Sequence, residues 1–220
     1  MPAKQLRTRR RTQQERREET RKALLEATMS ALIERGYAGA TTNEITRRAG
    51  LTSGALQHHF ASREELVLAL VDYQFEEVRL QLETFANDES STTDWRTFIE
   101  LLRKIYAGRR YMAIWEIVMG TRADAHLHTL VMQHRIQSQA ILERLWGNVF
   151  GGRIPDRRKR ADLMHFTLAT LRGYVFYNVI APDERFLERQ KEMLFSFLEA
   201  EMRHSEGTDP VTQTAVPPHP

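Results

Sequence analysis

The apolar residues of this chain recur at spacings of three and four, which is the pattern of amphipathic helices. Leu24, Ala27 and Ala31 form one such face and predict a first helix from about Gln14 to Arg35, which Gly36 is expected to end with a left-handed cap. Similar patterns predict eight further helices, at about 42–49, 53–60, 62–85, 95–107, 110–119, 124–150, 156–180 and 182–203. No segment alternates as a strand does, so the predicted fold class is all-α with about nine helices.

Two of the short helices form the most informative segment, residues 42–60. They are joined by a turn at Gly50, where glycine can adopt the positive backbone φ that a helix-turn-helix requires. Ile45 can pack against Leu56 across this turn, and Phe60 can close the small core. Short polar residues then remain at the start of the second helix, where hydroxyls and free backbone N–H groups bind phosphate well. The pattern therefore predicts DNA binding.

Charge is divided unevenly along the chain. Residues 1–50 hold 12 Lys and Arg against 6 Asp and Glu, whereas the remainder holds 20 against 23. A basic end on a mildly acidic body is typical of a phosphate-binding module. We interpret residues 1–13 as a basic flexible arm. Its arginines between Arg7 and Arg11 either enter a neighbouring minor groove or add only non-specific affinity.

Composition excludes several other functions. The chain has no cysteine, which excludes disulfides, cysteine-bound zinc and thiol catalysis. It contains no apolar run near the ~20 residues that span a bilayer, and no secretory signal, so we expect a cytoplasmic protein without membrane contact. No phosphate loop, nucleophile elbow or catalytic dyad is visible, and His126 and His128 lie two apart, on different faces of a helix. We therefore expect no enzymatic activity, no cofactor and no metal.

The run from Gly36 to Leu66 resembles the signature of TetR-like (tetracycline-repressor-like) transcriptional regulators. The matching positions are Gly36-Tyr37, Thr41-Thr42, Ile45, Ala49-Gly50, Ser53-Gly54, Leu56, His59-Phe60, Ser62, Glu64 and Leu66. Three positions depart from the family pattern: Gln57 replaces a tyrosine, Arg63 a lysine and Thr46 an alanine. The arginine keeps the charge and adds a fork for phosphate, whereas the glutamine can donate to phosphate or read an adenine edge.

The resemblance implies DNA contacts at eight positions. It implies phosphate contacts for Thr42, Thr52, Gln57, His59 and Arg63, and positions at base edges for Ser53, Gly54 and His58. Arg47 and Arg48 complete the predicted set, and at least one of them is expected to contribute only its positive field. For each position the alternative is a solvated surface residue.

The last two predicted helices are apolar on more than one face, so each needs two packing partners. TetR-like proteins dimerise through their last two long helices as a four-helix bundle, and the resemblance therefore implies a homodimer. The predicted interface residues are Ala169, Gly173, Phe176, Met193 and Phe197. The alternative is deep burial within a monomer. A dimer would read the two halves of a palindromic operator in double-stranded DNA.

Family members usually bind a small effector among helices 4 to 8, and aromatic walls with polar tips are typical of such pockets. The predicted lining residues are Phe98, Tyr106, Tyr111, Met112, Trp115, Met119, His134, Phe166, Tyr174 and Tyr177. The alternative for each is an ordinary core position. This composition predicts an apolar or aromatic effector, with His134 available for a polar group.

These observations predict three parts after the arm. A helix-turn-helix domain of three helices covers 14–75, a helical ligand-binding and dimerisation domain covers 76–204, and a disordered tail covers 205–220. The predicted function is a dimeric repressor that a small effector releases from its operator. The alternative is an activator or an architectural DNA-binding protein without an effector.

Overall fold

The structure, a computed structural model, describes residues 12–88 and 94–206, except for the side chains of 134–138 and 206. Within these ranges it contains nine helices and no strand, which confirms the all-α prediction. The helices are α1 (Gln13–Gly39), α2 (Thr42–Ala49), α3 (Ser53–His59), α4 (Arg63–Asn87), α5 (Trp95–Tyr106), α6 (Arg109–Thr121), α7 (Ala125–Phe150), α8 (Arg157–Ile180) and α9 (Glu184–Glu206). Residues 1–11 of the predicted arm (1–13) and residues 207–220 of the predicted tail (205–220) lie outside the described residues, whereas Gln13 belongs to α1 and residues 205–206 belong to α9.

The end of α1 differs from the prediction. Gly36 has the expected positive φ of 66°, but its ψ of −177° is extended rather than left-handed, and helical turns resume as far as Gly39. The prediction that α1 ends at Gly36 is therefore wrong, because the helix is kinked there and continues. This backbone conformation is essentially restricted to glycine, which accounts for the residue at the kink.

The helix-turn-helix has the local geometry that its sequence predicts. Thr41 caps α2 by accepting a hydrogen bond from the Glu44 N–H at 3.3 Å, and Thr52 caps α3 through the Ala55 N–H at 3.1 Å. Between the two helices Gly50 adopts the left-handed conformation, with φ 64° and ψ 31°. These caps and the glycine turn fix the directions of both short helices.

A small apolar core supports this motif from beneath. Ile45, Leu56 and Phe60 are each at least 95% buried and join a cluster that also contains Leu24 and Leu70. Burial of one such side chain stabilises the fold by roughly 1.5–3 kcal/mol. Tertiary packing therefore holds α2 and α3, which are too short to be stable alone.

The described chain divides into two compact units. The first contains the described residues up to Glu76 together with 112–134, and the second contains 77–111 together with 135 onward. The second unit has its own core, in which Phe98, Trp146 and Phe150 are fully buried. Residues 112–134 thus pack with the first unit, although the predicted ligand-binding domain begins at residue 76. The functional boundary after residue 75 stays a prediction.

Candidate nucleic-acid interface

One face of α3 is open to solvent. Ser53, Gly54, Gln57 and His58 are exposed, whereas Leu56 faces the core. A Cβ atom built on Gly54 would have one neighbour within 4 Å, the Thr52 hydroxyl at 3.9 Å. Small residues in open space at the start of a helix permit close approach to a major groove. The predicted base-edge residues therefore occupy an accessible surface.

Two basic residues of α1 lie beside this surface. Arg21 holds its guanidinium 5.0 Å from the centre of the Phe60 ring. His59 is half-buried, and its pKa is lowered first by burial and then by the charges of His58, Arg17 and Arg21. His59 is therefore favoured as a neutral hydrogen-bonding group near pH 7 rather than as a cation. Arg21 was missing from the predicted set, although its spacing of four from Arg17 places both on one helix face.

Glu44 holds both arginines of α2. Its carboxylate lies 2.8 Å from Arg47, 2.7 Å from Arg48 and 3.0 Å from Arg35. Arg48 also donates to Glu34 at 2.8 Å, and its side chain is only 13% exposed. Arg48 therefore ties α2 to α1, whereas Arg47, with a side chain 66% exposed, remains accessible from solvent. A phosphate contact by Arg47 stays a prediction.

This network predicts a pH-dependent stability. Hydrogen bonds from Arg47 and Arg48, with the charge of Arg35, lower the pKa of Glu44 from 4.5 to about 2. The folded state thus favours the carboxylate, which stabilises the fold fully above pH 4.5 and progressively less as pH falls towards 2. We expect Glu44→Gln to lower the Tm at pH 7 and to lose this difference from the wild type as pH falls through that window.

Thermal unfolding followed by circular dichroism between pH 7 and pH 2 measures this difference. Glu18→Gln is the matched control, since Glu18 is an exposed carboxylate on α1 whose side chain accepts a hydrogen bond from Gln14, one turn earlier in the same helix. A Tm difference for Glu44→Gln that is the same at every pH would contradict the ionic role of Glu44.

The remaining predicted DNA-contacting residues also lie in the first unit. Thr42, Thr52 and Arg63 are exposed at the starts of α2, α3 and α4. The Arg63 guanidinium donates to the Tyr37 carbonyl at 2.6 Å and lies 4.6 Å from the centre of the Tyr37 ring. Three helix starts therefore carry three of the five predicted phosphate contacts, and backbone N–H groups at helix starts favour anions.

The predicted effector-lining residues are distributed over both units. Met112, Trp115 and Met119 belong to the first, and Phe98, Tyr106, Tyr111, Phe166, Tyr174 and Tyr177 to the second. The side chain of His134 lies outside the described residues. An open groove of about 770 Å³ between α4 and α5 is lined by none of these residues. Their role in binding an effector stays a prediction.

Within the second unit, the predicted lining residues have different environments. Phe98 is fully buried, with its ring 5.1 Å from that of Phe85. Tyr106 and Tyr111 meet edge to face at 5.0 Å. Tyr174 donates its hydroxyl to the Gln190 carbonyl at 2.9 Å, and burial raises its pKa. Phe166 is half exposed instead, so the structure brings only part of the predicted set together.

Three buried polar atoms of the second unit were not predicted. Trp146 Nε1, Thr167 Oγ1 and Arg172 Nε have no hydrogen-bond partner within the described part of the chain. The Arg172 guanidinium lies 5.2 Å from the Tyr106 ring, which was in the predicted set. A buried polar group without a partner costs about 1–3 kcal/mol, so these atoms identify positions where a bound polar group would be stabilised.

All five predicted interface residues are exposed in the single chain. Ala169, Gly173 and Phe176 follow one face of α8, while Met193 and Phe197 lie on α9. The Phe197 ring packs 4.9 Å from that of the half-exposed Phe166. Exposed aromatic and methionine side chains beside small residues form a surface suited to close helix packing. We refer to these six residues as the α8–α9 face.

Two further findings concern other functions. Among the described helices, none is both long enough and apolar enough to cross a bilayer. His126 lies 3.7 Å from Glu64, and His128 lies 3.4 Å from the Thr121 hydroxyl. The described residues contain no group of three or more His, Asp or Glu that could hold a metal ion.

The sequence of this chain is similar to those of known proteins. Residues 24–70 match the family model of bacterial regulatory proteins, tetR family. The chain is 38% identical over 121 residues to an uncharacterised HTH-type transcriptional regulator of Mycobacterium bovis, covering 53% of this chain and 60% of that protein. It is 29% identical over 180 residues to the HTH-type transcriptional repressor AcnR of Corynebacterium diphtheriae, covering 79% of this chain and 88% of that protein. The match to the mycobacterial relative therefore spans less than two thirds of that protein.

The fold is also shared with solved structures. A TetR-family regulator structure from Mesorhizobium loti superposes with a TM-score of 0.66 at 15% identity, covering 86% of this chain and 98% of that one. At this identity the likeness concerns the fold, which extends beyond residues 24–70 into both units.

Proposed function

Since this chain belongs to the tetR family of bacterial regulatory proteins, we propose that it is a DNA-binding transcriptional regulator. The observation that carries the proposal is the exposed start of α3, where Ser53 and Gly54 stand in open space above a buried apolar core. Exposed basic residues on α1, α2 and α4 surround it. The proposed site of action is DNA in the cytoplasm, and no enzymatic activity is proposed.

The proposed active form is a homodimer that binds a palindromic operator. One recognition helix contacts few bases, whereas two related by a two-fold axis read two half-sites about a helical turn or more apart. The α8–α9 face supports the dimer, because it would leave Met193 and Phe197 in water if the chain were a monomer. The repressor AcnR is a named relative, which favours repression for this chain.

The proposed effector, which would regulate DNA binding, is a small apolar or aromatic molecule with at least one polar group. The unpartnered polar atoms of Trp146, Thr167 and Arg172 support a binding site in the second unit, where Arg172 lies over the Tyr106 ring and that ring meets Tyr111. Such an effector would release DNA by binding more tightly to a conformation with low operator affinity. The alternative function is that of an activator or an architectural DNA-binding protein, which would bind no effector.

Selection of DNA fragments from the genome by the purified protein tests the proposal. We expect a small number of palindromic sites in promoters, with an affinity that falls linearly with the logarithm of salt concentration. A compound screen by thermal unfolding then identifies stabilising ligands, which should also dissociate the operator complex. Many scattered sites, insensitive to every stabilising compound, would favour the architectural alternative. Absence of salt-dependent DNA binding would refute the proposal.

A further inference from the structure

The kink of α1 brings Tyr37 against α6. The backbone N–H of Tyr37 donates to Glu116 Oε2 at 3.3 Å, across 79 positions of sequence. Any side chain at Gly36 would be strained by the φ of 66°, and its Cβ would lie 3.1 Å from the same carboxylate oxygen. Glycine at position 36 therefore permits both the kink and the bond to α6.

Arg63 completes the kinked end of α1. The Thr41 N–H bonds to the Gly39 carbonyl at 2.9 Å, and so it does not make the bond to the Tyr37 carbonyl that a continuing helix would require. The Arg63 guanidinium supplies a donor to that carbonyl at 2.6 Å and stacks over the Tyr37 ring. A cation at a helix C-terminus is favoured by the helix dipole as well. Two contacts with one residue thus fix the direction of the guanidinium.

Helix α6 determines where the Tyr37 ring lies. The ring packs directly on Gly120, because a Cβ atom built there would be 2.2 Å from the Tyr37 ring and 2.9 Å from its Cβ. No side chain fits between the two without displacing the tyrosine. The α6 backbone therefore sets the position of the Tyr37 ring, and the ring sets the position of the Arg63 guanidinium.

We propose that Tyr37, seated on α6 by Glu116 and Gly120, is the positioning residue for a phosphate contact by Arg63. This inference rests on the proposed DNA-binding function. A guanidinium has five N–H donors, and the bond to Tyr37 uses one while holding the group ready for an anion. Helix α6 thereby controls one DNA-contacting side chain of the α4 start.

Salt-dependent operator binding tests this inference through Gly120→Ala. Alanine favours helix formation, so α6 itself gains helix propensity, but the added methyl group forces the Tyr37 ring away. We expect Arg63→Ala to weaken binding about tenfold and to reduce the salt slope by about one. Gly120→Ala should weaken binding about three- to tenfold with the same change of slope, and should cost nothing more in the Arg63→Ala background.

Four further single variants and one double variant complete the experiment. Tyr37→Ala should weaken binding as Gly120→Ala does, and combining the two should be no worse than Tyr37→Ala alone, because the clash has been removed. Glu116→Ala should weaken binding, whereas Glu116→Gln keeps an oxygen acceptor and should restore it. Gly147→Ala is the matched control, since a Cβ there meets nothing within 4 Å. Thermal unfolding verifies the fold of each.

The outcomes separate the inference from the proposed function. If the wild-type protein shows no salt-dependent binding to any selected fragment, the proposed function fails and the inference fails with it. If Arg63→Ala lowers the slope while folded Gly120→Ala and Tyr37→Ala proteins keep the wild-type slope, only the inference is overturned. Tighter DNA binding by Tyr37→Ala would also overturn it. If Gly120→Ala does not fold, the comparison of operator binding by Glu116→Ala and Glu116→Gln tests the inference instead.

Discussion

Replacement of Phe197 by aspartate is expected to convert the proposed dimer to a monomer and to weaken operator binding by at least about a hundredfold. Phe197 lies on α9 in the α8–α9 face, and its ring packs on Phe166. In a monomer this position is partly exposed, so the carboxylate remains hydrated and the fold persists. In the dimer the charge would be buried without a partner, which strongly destabilises association. Each separated protomer could then occupy only one half-site.

Sedimentation equilibrium gives the mass, and gel-shift titration gives the operator affinity. Leu80→Asp is the matched control, because Leu80 is also an exposed apolar residue but lies on α4. This control should remain dimeric and bind the operator normally. A wild-type protein that is monomeric at micromolar concentration and still binds a palindrome with full affinity would refute the dimer.

Replacement of Gly54 by leucine is expected to abolish specific DNA binding without loss of stability. Among the described residues, a Cβ at position 54 would meet only the Thr52 hydroxyl, at an ordinary contact distance of 3.9 Å, so a larger side chain has room to begin there. Leucine has a higher helix propensity than glycine by roughly 0.8 kcal/mol, and the Tm should be unchanged or higher. A four-carbon side chain at the start of α3 would, however, hold the helix away from the base edges. We expect operator affinity to fall at least about a hundredfold, to the non-specific level.

Gel-shift titration and thermal unfolding measure the two effects separately. Gly54→Ala adds only one methyl group and should reduce affinity much less. The same glycine-to-leucine change at Gly147, in α7, serves as the control for added apolar surface. Unchanged operator affinity for folded Gly54→Leu would show that α3 does not approach DNA through this residue.

The helix-turn-helix could be predicted from sequence because its determinants are local. The helical spacing of Ile45, the cap at Thr41 and the turn at Gly50 each act over a few residues, and all three favour the same structure. The kink at Gly36 was harder to predict, since a positive φ fits either a left-handed cap or the extended ψ that the structure shows. Only packing against α6 distinguishes the two.

Partners distant in sequence could not be predicted. Arg48 directly follows Arg47 along α2 and has the same side chain, yet it is bonded to Ser30 and Glu34 because α1 passes beside it. Aromatic spacing likewise does not separate a fully buried residue such as Phe98 from a half-exposed one such as Phe166. The unpartnered Thr167 hydroxyl becomes visible only when the neighbouring helices are in place.

The membership of residues 112–134 in the first compact unit affects how this protein could be recombined with similar ones. Ala113, Ile117 and Val131 are buried in the same apolar cluster as Leu24 and Leu70. A chimaera joined at residue 76 would therefore pair the N-terminal helices of one parent with the α6 of another, and would have to match that buried surface as well as the contact between positions 37 and 120. The first compact unit, which carries the proposed DNA-binding surface, is interchangeable only as two pieces of sequence taken together.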